Sequence, residues 1–141
     1  MKIRVINGPN LNMLGIREPE IYGRATYADL VAYVRESAAA LGVEAEVFQS
    51  NHEGELVDYI QQALGAADGI VINPAAYTHT SVAILDALKA VGLPAVEVHL
   101  SDVQSREEFR RVSYPSLACA EVMAGLGFAG YRRAMETLFA L

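Results

Sequence analysis

The chain has 141 residues, a formal net charge of −6 and 52% hydrophobic residues. This length suits one domain with a full-sized core, and the apolar fraction excludes a disordered chain. The acidic balance argues against a DNA-binding surface, which would require a basic patch. The single cysteine, Cys119, excludes an intrachain disulfide framework and a cysteine-based zinc cluster.

The first residues do not have the pattern of a targeting segment. The apolar run at residues 3–6 is far shorter than the apolar region of a signal peptide, and the turn-forming residues 7–10 end it. No apolar stretch of the sequence reaches the roughly 18–20 residues of a membrane span. We therefore expect a cytoplasmic protein with a single domain, residues 1–141, and neither a membrane nor a nucleic acid as partner.

Strand and helix patterns alternate along the chain. Apolar, β-rich runs predict strands at residues 2–6, 44–49, 69–72, 94–100 and 117–124. Apolar residues at helical spacing predict helices at residues 26–41, 56–64, 81–91 and 128–139, with a short helical piece at 106–110. Thr26 and Asp29 match a carboxylate version of the capping box at the first helix, and Gly42 ends that helix.

This alternation of strands with helices predicts βαβ units and a parallel sheet. Because βαβ crossovers are right-handed, five such strands give an α/β fold with a doubly wound sheet. We expect a flavodoxin-like, five-stranded parallel sheet in a three-layer α/β/α sandwich.

The connection after the first strand, residues 7–23, is much longer than the roughly 2–6 residues usual between a strand and a helix. Its apolar residues, among them Leu11, Leu14 and Ile21, need to be buried, which argues against simple disorder. We interpret it as an active-site loop. Residues 7–12 would form a fixed floor at the end of the strand, and residues 14–23 a moving lid. We expect residues 14–22 to be the most mobile segment of the chain.

Polar connections also follow the second, third and fourth strands, at residues 50–55, at residues 73–81 and from His99 onward. In open α/β sheets ligands bind outside the carboxyl ends of the strands, so we expect these connections to converge. All three histidines of the chain fall in them, which strengthens the case for a site. The candidate side chains are Asn10, Arg17, Tyr22, Asn51, His52, Asn73, His79, Glu97, His99, Ser101, Arg106 and Arg110.

Each candidate also has a structural interpretation. The asparagines of residues 7–12 could simply form turns. Arg17 and Tyr22 could make an ordinary surface pair, and His52 and His79 could be structural or helix-capping histidines. Arg106 and Arg110, four residues apart, could pair with Glu107 or be solvated. Taken one at a time, these side chains do not establish a site.

Glu97 and His99 are the most informative pair. Residues i and i+2 of a strand face the same side, and two polar groups on a buried strand need partners, so these two are expected to contact each other and a ligand. A carboxylate that orients an imidazole is a common arrangement for a general acid or base. On the long loop, the cation of Arg17 would favour the phenolate form of Tyr22.

A phenolate-like base that faces a histidine acid fits proton abstraction with departure of a hydroxyl. The asparagines, Ser101 and the arginines suit a substrate with several hydroxyls and one carboxylate. A flavin- or nucleotide-binding module on the same fold would need a phosphate-binding glycine or Ser/Thr cluster in the first loop, which is missing. A receiver-like signalling domain would need acidic residues where Asn7 and Asn73 stand.

Five motifs, spread in order over the whole chain, resemble type II 3-dehydroquinate dehydratase (type II dehydroquinase). The motifs are Asn7-Gly8-Pro9-Asn10-Leu11-Asn12, Leu14-Gly15-x-Arg17-Glu18-Pro19-x-x-Tyr22-Gly23, Gln49-Ser50-Asn51-His52-Glu53-Gly54, Asn73-Pro74-x-x-x-Thr78-His79-Thr80-Ser81 and Glu97-Val98-His99-Leu100-Ser101. The resemblance implies a flavodoxin-like enzyme without cofactor or metal. Such an enzyme dehydrates 3-dehydroquinate to 3-dehydroshikimate by anti elimination through an enolate, in the shikimate pathway or in quinate catabolism.

The resemblance also implies a role for each matching residue. Tyr22 would remove the C2 proton, with Arg17 keeping it acidic, and Asn10 would position a water that stabilises the enolate oxygen. His99, oriented by Glu97, would protonate the leaving hydroxyl. The implied substrate-binding residues are Asn73, His79, Leu100, Ser101 and Arg110, together with Asp86 of a neighbouring protomer in a dodecamer built as a tetramer of trimers.

Four residues depart from the family pattern: Asp102, Val112, Pro115 and Glu121. Asp102 stands where the family usually has asparagine, and Val112 stands where histidine is common. None of the four belongs to the implied catalytic set. We expect these four departures to affect the charge near the site, the packing of the fifth strand and the contacts between protomers.

Overall fold

The computed structural model describes residues 1–16, 20 and 23–141. Arg17 and Tyr22, and with them half of the predicted lid, lie outside the described residues. Within the described part the strands are β1 (Lys2–Asn7), β2 (Glu44–Gln49), β3 (Gly69–Asn73), β4 (Ala95–His99) and β5 (Glu121–Ala124). They form one sheet of order β2-β1-β3-β4-β5, and every neighbouring pair is parallel.

Helices cover both faces of this sheet. They are α1 (Tyr27–Leu41), α2 (Glu53–Gln62), α3 (Val82–Val91) and α4 (Ala129–Ala140). One buried cluster holds side chains of α1 and α4, and a second holds side chains of α2 and α3. Successive side chains of β1 divide between the clusters, Val5 into the first and Ile6 into the second, because strand residues alternate between faces.

This arrangement is the predicted three-layer α/β/α sandwich, and its strand order is that of the flavodoxin-like folds. In the described ranges, no helix has both the length and the apolar character needed to cross a membrane.

The residues predicted to begin and end α1 do so. The Thr26 hydroxyl accepts from the Asp29 amide at 3.1 Å, and the Asp29 carboxylate accepts from the Thr26 amide at 2.9 Å. This is a complete capping box, which satisfies amide groups that the first turn of a helix leaves free. Gly42 ends the helix with a φ of 80°, a left-handed conformation that glycine adopts without strain.

The predicted fifth strand is too long. Residues 115–118 form a 3-10 turn instead, and β5 begins only at Glu121. Pro115 explains the difference, because proline has no amide to donate to a sheet and its fixed φ suits the first position of a helical turn. The preceding connection differs as well: in place of one helical piece at 106–110 there are two 3-10 turns, Val103–Ser105 and Glu108–Arg111, separated by an extended Arg106.

Candidate active site

A cavity of about 160 Å³ lies at the carboxyl ends of β1, β3 and β4. It forms where the polar connections after these strands meet, as the sequence predicts. Its lining includes eight of the predicted site residues: Asn10, Asn73, His79, His99, Leu100, Ser101, Arg106 and Arg110. Pro9, Leu11, Ala75, Ala76 and Val103 complete the wall.

Two side chains from the connection after β2, predicted to converge here, do not line the cavity. His52 is exposed at the beginning of α2, and its side chain forms no capping hydrogen bond. Asn51 lies behind the floor, where its Oδ1 accepts from the Asn10 amide at 3.0 Å. Both miss the cavity because β2 is the edge strand beyond β1, one strand farther from the cavity than β1 and β3.

Two further predicted residues lie outside the lining for different reasons. Glu97 is fully buried behind His99. Asp86 is exposed on α3 and does not line the cavity of its own chain. Its predicted role depends on a neighbouring protomer and stays a prediction.

The floor of the cavity depends on a close approach of the two segments that follow β1 and β3. The Gly8 amide donates to the Asn73 carbonyl at 2.8 Å. A Cβ at Gly8 would lie 2.5 Å from the Pro74 carbonyl oxygen, so only glycine fits. Asn10 and Ala75, which both line the cavity, have positive φ values of 68° and 53°. Asparagine tolerates this conformation, but alanine adopts it at a cost, so the surrounding structure must hold Ala75 in place.

A buried network beneath the floor fixes the side chain of Asn73. Asn73 Oδ1 accepts from the Ala75 amide at 3.1 Å, and its Nδ2 donates to the Tyr131 hydroxyl at 2.9 Å. Tyr131, fully buried on α4, donates in turn to Asn7 Oδ1 at 2.7 Å. Burial raises the pKa of Tyr131, so the phenol keeps its proton. The second N–H of the Asn73 amide remains available to a ligand in the cavity.

His99 and Glu97 make the predicted contact. His99 Nε2 lies 2.7 Å from Glu97 Oε2, and their side chains are only 6% and 1% exposed. A carboxylate can only accept, so Nε2 carries the proton of this bond. Nδ1 is then the ring nitrogen available to a ligand in the cavity that His99 lines.

Ser113, which the sequence-based prediction missed, also contacts Glu97. Its Oγ lies 2.9 Å from both carboxylate oxygens. A lone serine in a polar connection has the same pattern as a turn residue, so the sequence held no signal for this contact. Cys119 lies nearby: burial, and secondarily the Glu97 carboxylate, raise its pKa to about 12. Cys119 is therefore a neutral thiol, poorly suited to act as a nucleophile.

His79 is oriented by a backbone group. Its Nδ1 lies 2.7 Å from the carbonyl oxygen of Val112, which can only accept, so Nδ1 carries the proton and Nε2 is left for a ligand. Because the partner is a main-chain carbonyl, the departure from the family pattern at Val112 does not remove this contact. Asp102, a second departure, lies outside the lining, and its carboxylate accepts from the Gln104 amide at 3.1 Å.

Positively charged side chains stand at one side of the cavity. Arg106 and Arg110 line it, and Arg110 pairs with Glu107 outside. The hydrogen bond from Arg110 holds the pKa of Glu107 below its usual range. In a chain with net charge −6, two guanidinium groups at one cavity favour a ligand with a carboxylate. In the described part of the chain, no three His, Cys, Asp or Glu side chains cluster in a way that could hold a metal ion.

Comparisons with known proteins agree with this geometry. The family model described as "Dehydroquinase class II" matches residues 1–139. A 3-dehydroquinate dehydratase of Clostridium acetobutylicum is 54% identical, with 93% of this chain and 91% of the relative covered. A protein of Verticillium alfalfae named catabolic 3-dehydroquinase is 58% identical, with 96% and 90% covered.

Solved structures give the same result. The crystal structure of a type II dehydroquinase from Butyrivibrio crossotus superposes with a TM-score of 0.97 at 50% identity, covering 99% of this chain and 97% of that one. The predictions of a flavodoxin-like fold and of a type II dehydroquinase are confirmed. The chain belongs to the class II dehydroquinase family and is an enzyme of that family.

Proposed function

We propose that this enzyme dehydrates 3-dehydroquinate to 3-dehydroshikimate by anti elimination through an enolate intermediate. The observation that carries the proposal is the buried Glu97–His99 pair at a cavity lined by Arg106 and Arg110. An acid for a leaving hydroxyl and cations for a carboxylate are what this substrate requires. The family match and the names of the relatives support the choice of substrate.

The reaction proceeds in two steps. A base removes the C2 proton, and the electron pair moves to the adjacent carbonyl to give an enolate. The enolate then expels the C1 hydroxyl, which takes a proton from imidazolium His99 and leaves as water. The carboxylate of Glu97 contacts and directs the ring, so His99 is available as an acid at the cavity.

The base in this proposal is Tyr22, with Arg17 favouring its phenolate. Both residues lie outside the described residues, so their roles depend on the matching motif of residues 14–23. Asn10 holds the water that stabilises the enolate oxygen. The left-handed conformation of Asn10 and the bond from its amide to Asn51 make it a fixed part of the floor, which suits that role.

The substrate is held by groups around the cavity. In the proposal, the second N–H of the Asn73 amide and Nε2 of His79 bind hydroxyls of the substrate, and Arg110 binds its carboxylate. All three residues line the cavity, which supports these roles. Leu100 and Ser101 complete this set in the proposal. Asp86 of a neighbouring protomer joins the site of each chain, in a cytoplasmic dodecamer whose subunits are single catalytic domains, residues 1–141.

We propose two possible pathways for this reaction, aromatic amino acid biosynthesis through shikimate and quinate catabolism. Relatives of similar identity are named 3-dehydroquinate dehydratase in one case and catabolic 3-dehydroquinase in the other. Both roles use the same reaction.

The test is to add 3-dehydroquinate and to follow the ultraviolet absorbance of the conjugated product. We expect a rise with the wild-type enzyme, a rise of similar rate with His52→Ala and almost none with His99→Ala. His52 is a matched control because it is a histidine that does not line the cavity. No rise at any pH with the folded wild-type protein would contradict the proposed function.

A further inference from the structure

Ser113 is hydrogen-bonded to the one acidic side chain that contacts His99 among the described residues. Its hydroxyl lies 2.9 Å from both oxygens of Glu97, and Oε2 of the same carboxylate accepts from His99 at 2.7 Å. Glu97 is fully buried, so its charge has no compensation from water. The Ser113 hydroxyl therefore supplies part of the solvation that the carboxylate needs.

The direction of this bond follows from a second contact. The Ser116 amide donates to Ser113 Oγ at 3.2 Å. A serine hydroxyl has one proton, and an oxygen that accepts from Ser116 is free to donate that proton elsewhere. The carboxylate of Glu97 is the acceptor it meets. Ser113 thus fixes the orientation of the Glu97 carboxylate, which in turn accepts from Nε2 of His99.

The backbone around Ser113 is held independently of Glu97. The Tyr114 amide donates to the Thr78 carbonyl at 3.1 Å, and the Val112 carbonyl accepts from His79 at 2.7 Å. These two bonds hold the backbone on both sides of Ser113. Ser113 can therefore hold the Glu97 carboxylate in one orientation.

We infer that Ser113 is a positioning residue for His99, acting through Glu97. It holds the carboxylate in the rotamer that accepts from Nε2 of His99 and leaves Nδ1 directed at the substrate. The inference rests on the proposed function, in which His99 protonates the leaving hydroxyl. Ser113 itself does not line the cavity.

The kinetic test compares Ser113→Ala with Ser113→Thr and Ser116→Ala. Loss of a hydrogen bond to a charged group predicts that Ser113→Ala lowers kcat by roughly 10- to 100-fold, with KM changed by less than about 3-fold. Ser113→Thr keeps the hydroxyl and should recover most of kcat. Ser116→Ala is the matched control: it removes a hydroxyl bound to the same residue at 2.9 Å but makes no contact with Glu97, and it should keep the wild-type kcat.

The second readout is the imidazole nitrogen spectrum by NMR, which is tractable because the chain has three histidines. A His99→Ala sample assigns the signals of His99. At a pH at which the His99 ring carries one proton, we expect a single tautomer in the wild type, with that proton on Nε2, which faces Glu97. In Ser113→Ala we expect the signals of His99 to shift toward a mixture of tautomers, with those of His52 unchanged.

Different results contradict the role of Ser113 and the proposed function. Wild-type kcat in Ser113→Ala, or a lower kcat with unchanged His99 signals, would overturn the inference. If Ser113→Ala does not fold, Ser113→Cys takes its place, since a thiol has a similar shape and is only a weak donor. If the wild type does not turn over 3-dehydroquinate, the proposed function fails, while the spectra still report whether Ser113 controls the tautomer of His99.

Discussion

The phenol of Tyr131 and the amide of Asn73 meet at 2.9 Å beneath the floor of the cavity, although the two residues are 58 positions apart. Tyr131 donates its own proton to Asn7 and so can only accept from Asn73. The C-terminal helix thus sets which end of the Asn73 amide faces the ligand. Contacts of this kind link the stability of the fold to the geometry of the site.

Removal of the Tyr131 hydroxyl tests that link. Tyr131→Phe leaves Asn7 Oδ1 and one N–H of Asn73 buried and unpaired, which should reduce the free energy of unfolding by about 1–3 kcal/mol. Because the Asn73 amide is then less fixed, KM should rise as well. Urea denaturation and steady-state kinetics measure the two effects.

Tyr33→Phe is the control for that measurement. The Tyr33 ring packs against Phe128 with centroids 5.7 Å apart, and no hydrogen bond of its hydroxyl is found in the described part of the chain. A change below about 0.5 kcal/mol is expected there. Equal losses in the two variants would show that the buried network adds nothing specific.

The division of labour between base and acid predicts a separable defect. His99→Ala should lower the rate of dehydration by roughly 10²–10⁴-fold, the usual contribution of a general acid. The base does not depend on His99, so exchange of the C2 proton of the substrate with deuterated solvent should continue. Mass spectrometry of recovered substrate measures the exchange, and an equal loss of both processes would contradict the assignment of His99 to the second step.

The sheet and the cavity could be predicted from sequence because both follow from periodic patterns. Apolar strand runs fix which residues belong to the sheet, and parallel strands bring their carboxyl ends, with Asn73 and His99, to one edge. The contact of Glu97 with His99 follows from the two-residue period of a strand.

Ser113 and Tyr131 could not be found in this way. Tyr131 lies on the apolar stripe of an amphipathic helix, where an aromatic residue is expected as core, and its partner Asn7 is 124 positions away. Which polar atom a core hydroxyl meets depends on how the helix sits across the sheet, and no local pattern encodes that. The missed turn at residues 115–118 is different: proline suits the first position of a helical turn, and that signal was present in the sequence.

The raised pKa of Cys119 predicts a pH dependence of stability. Its folded-state value of about 12 lies above the ordinary value of 9.0, because burial first and the Glu97 carboxylate second disfavour the thiolate. The folded state therefore holds this proton more tightly than the unfolded state does. The resulting contribution to stability is complete below pH 9.0 and is lost as the pH rises toward about 12.

A comparison of urea midpoints for wild type and Cys119→Ala isolates this contribution. The loss of stability above pH 9.0 should be smaller in Cys119→Ala, since other alkaline groups, Tyr131 among them, are common to both proteins. The native thiol should also react with iodoacetamide far more slowly than in urea. Parallel stability curves over the whole alkaline range would contradict the prediction.

Two glycines should respond in opposite ways to the same substitution. A Cβ at Gly8 would lie 2.5 Å from the Pro74 carbonyl oxygen, whereas at Gly54 in α2 it would meet nothing within 4 Å. Gly8→Ala forces apart the segments that follow β1 and β3. As in other overpacked variants, the free energy of unfolding should fall by about 1–3 kcal/mol. It should also lower kcat/KM, because Asn10 and Asn73, which line the cavity, lie on those two segments.

Gly54→Ala should instead stabilise the protein by about 0.4–1 kcal/mol, because alanine loses less conformational freedom than glycine when the helix forms. Its activity should match the wild type, since Gly54 does not line the cavity. Thermal unfolding and the absorbance assay, applied to both variants, measure all four values. A Gly8→Ala variant with wild-type stability would mean that the floor can widen without cost, and its activity would then show whether the spacing of Asn10 and Asn73 matters for catalysis.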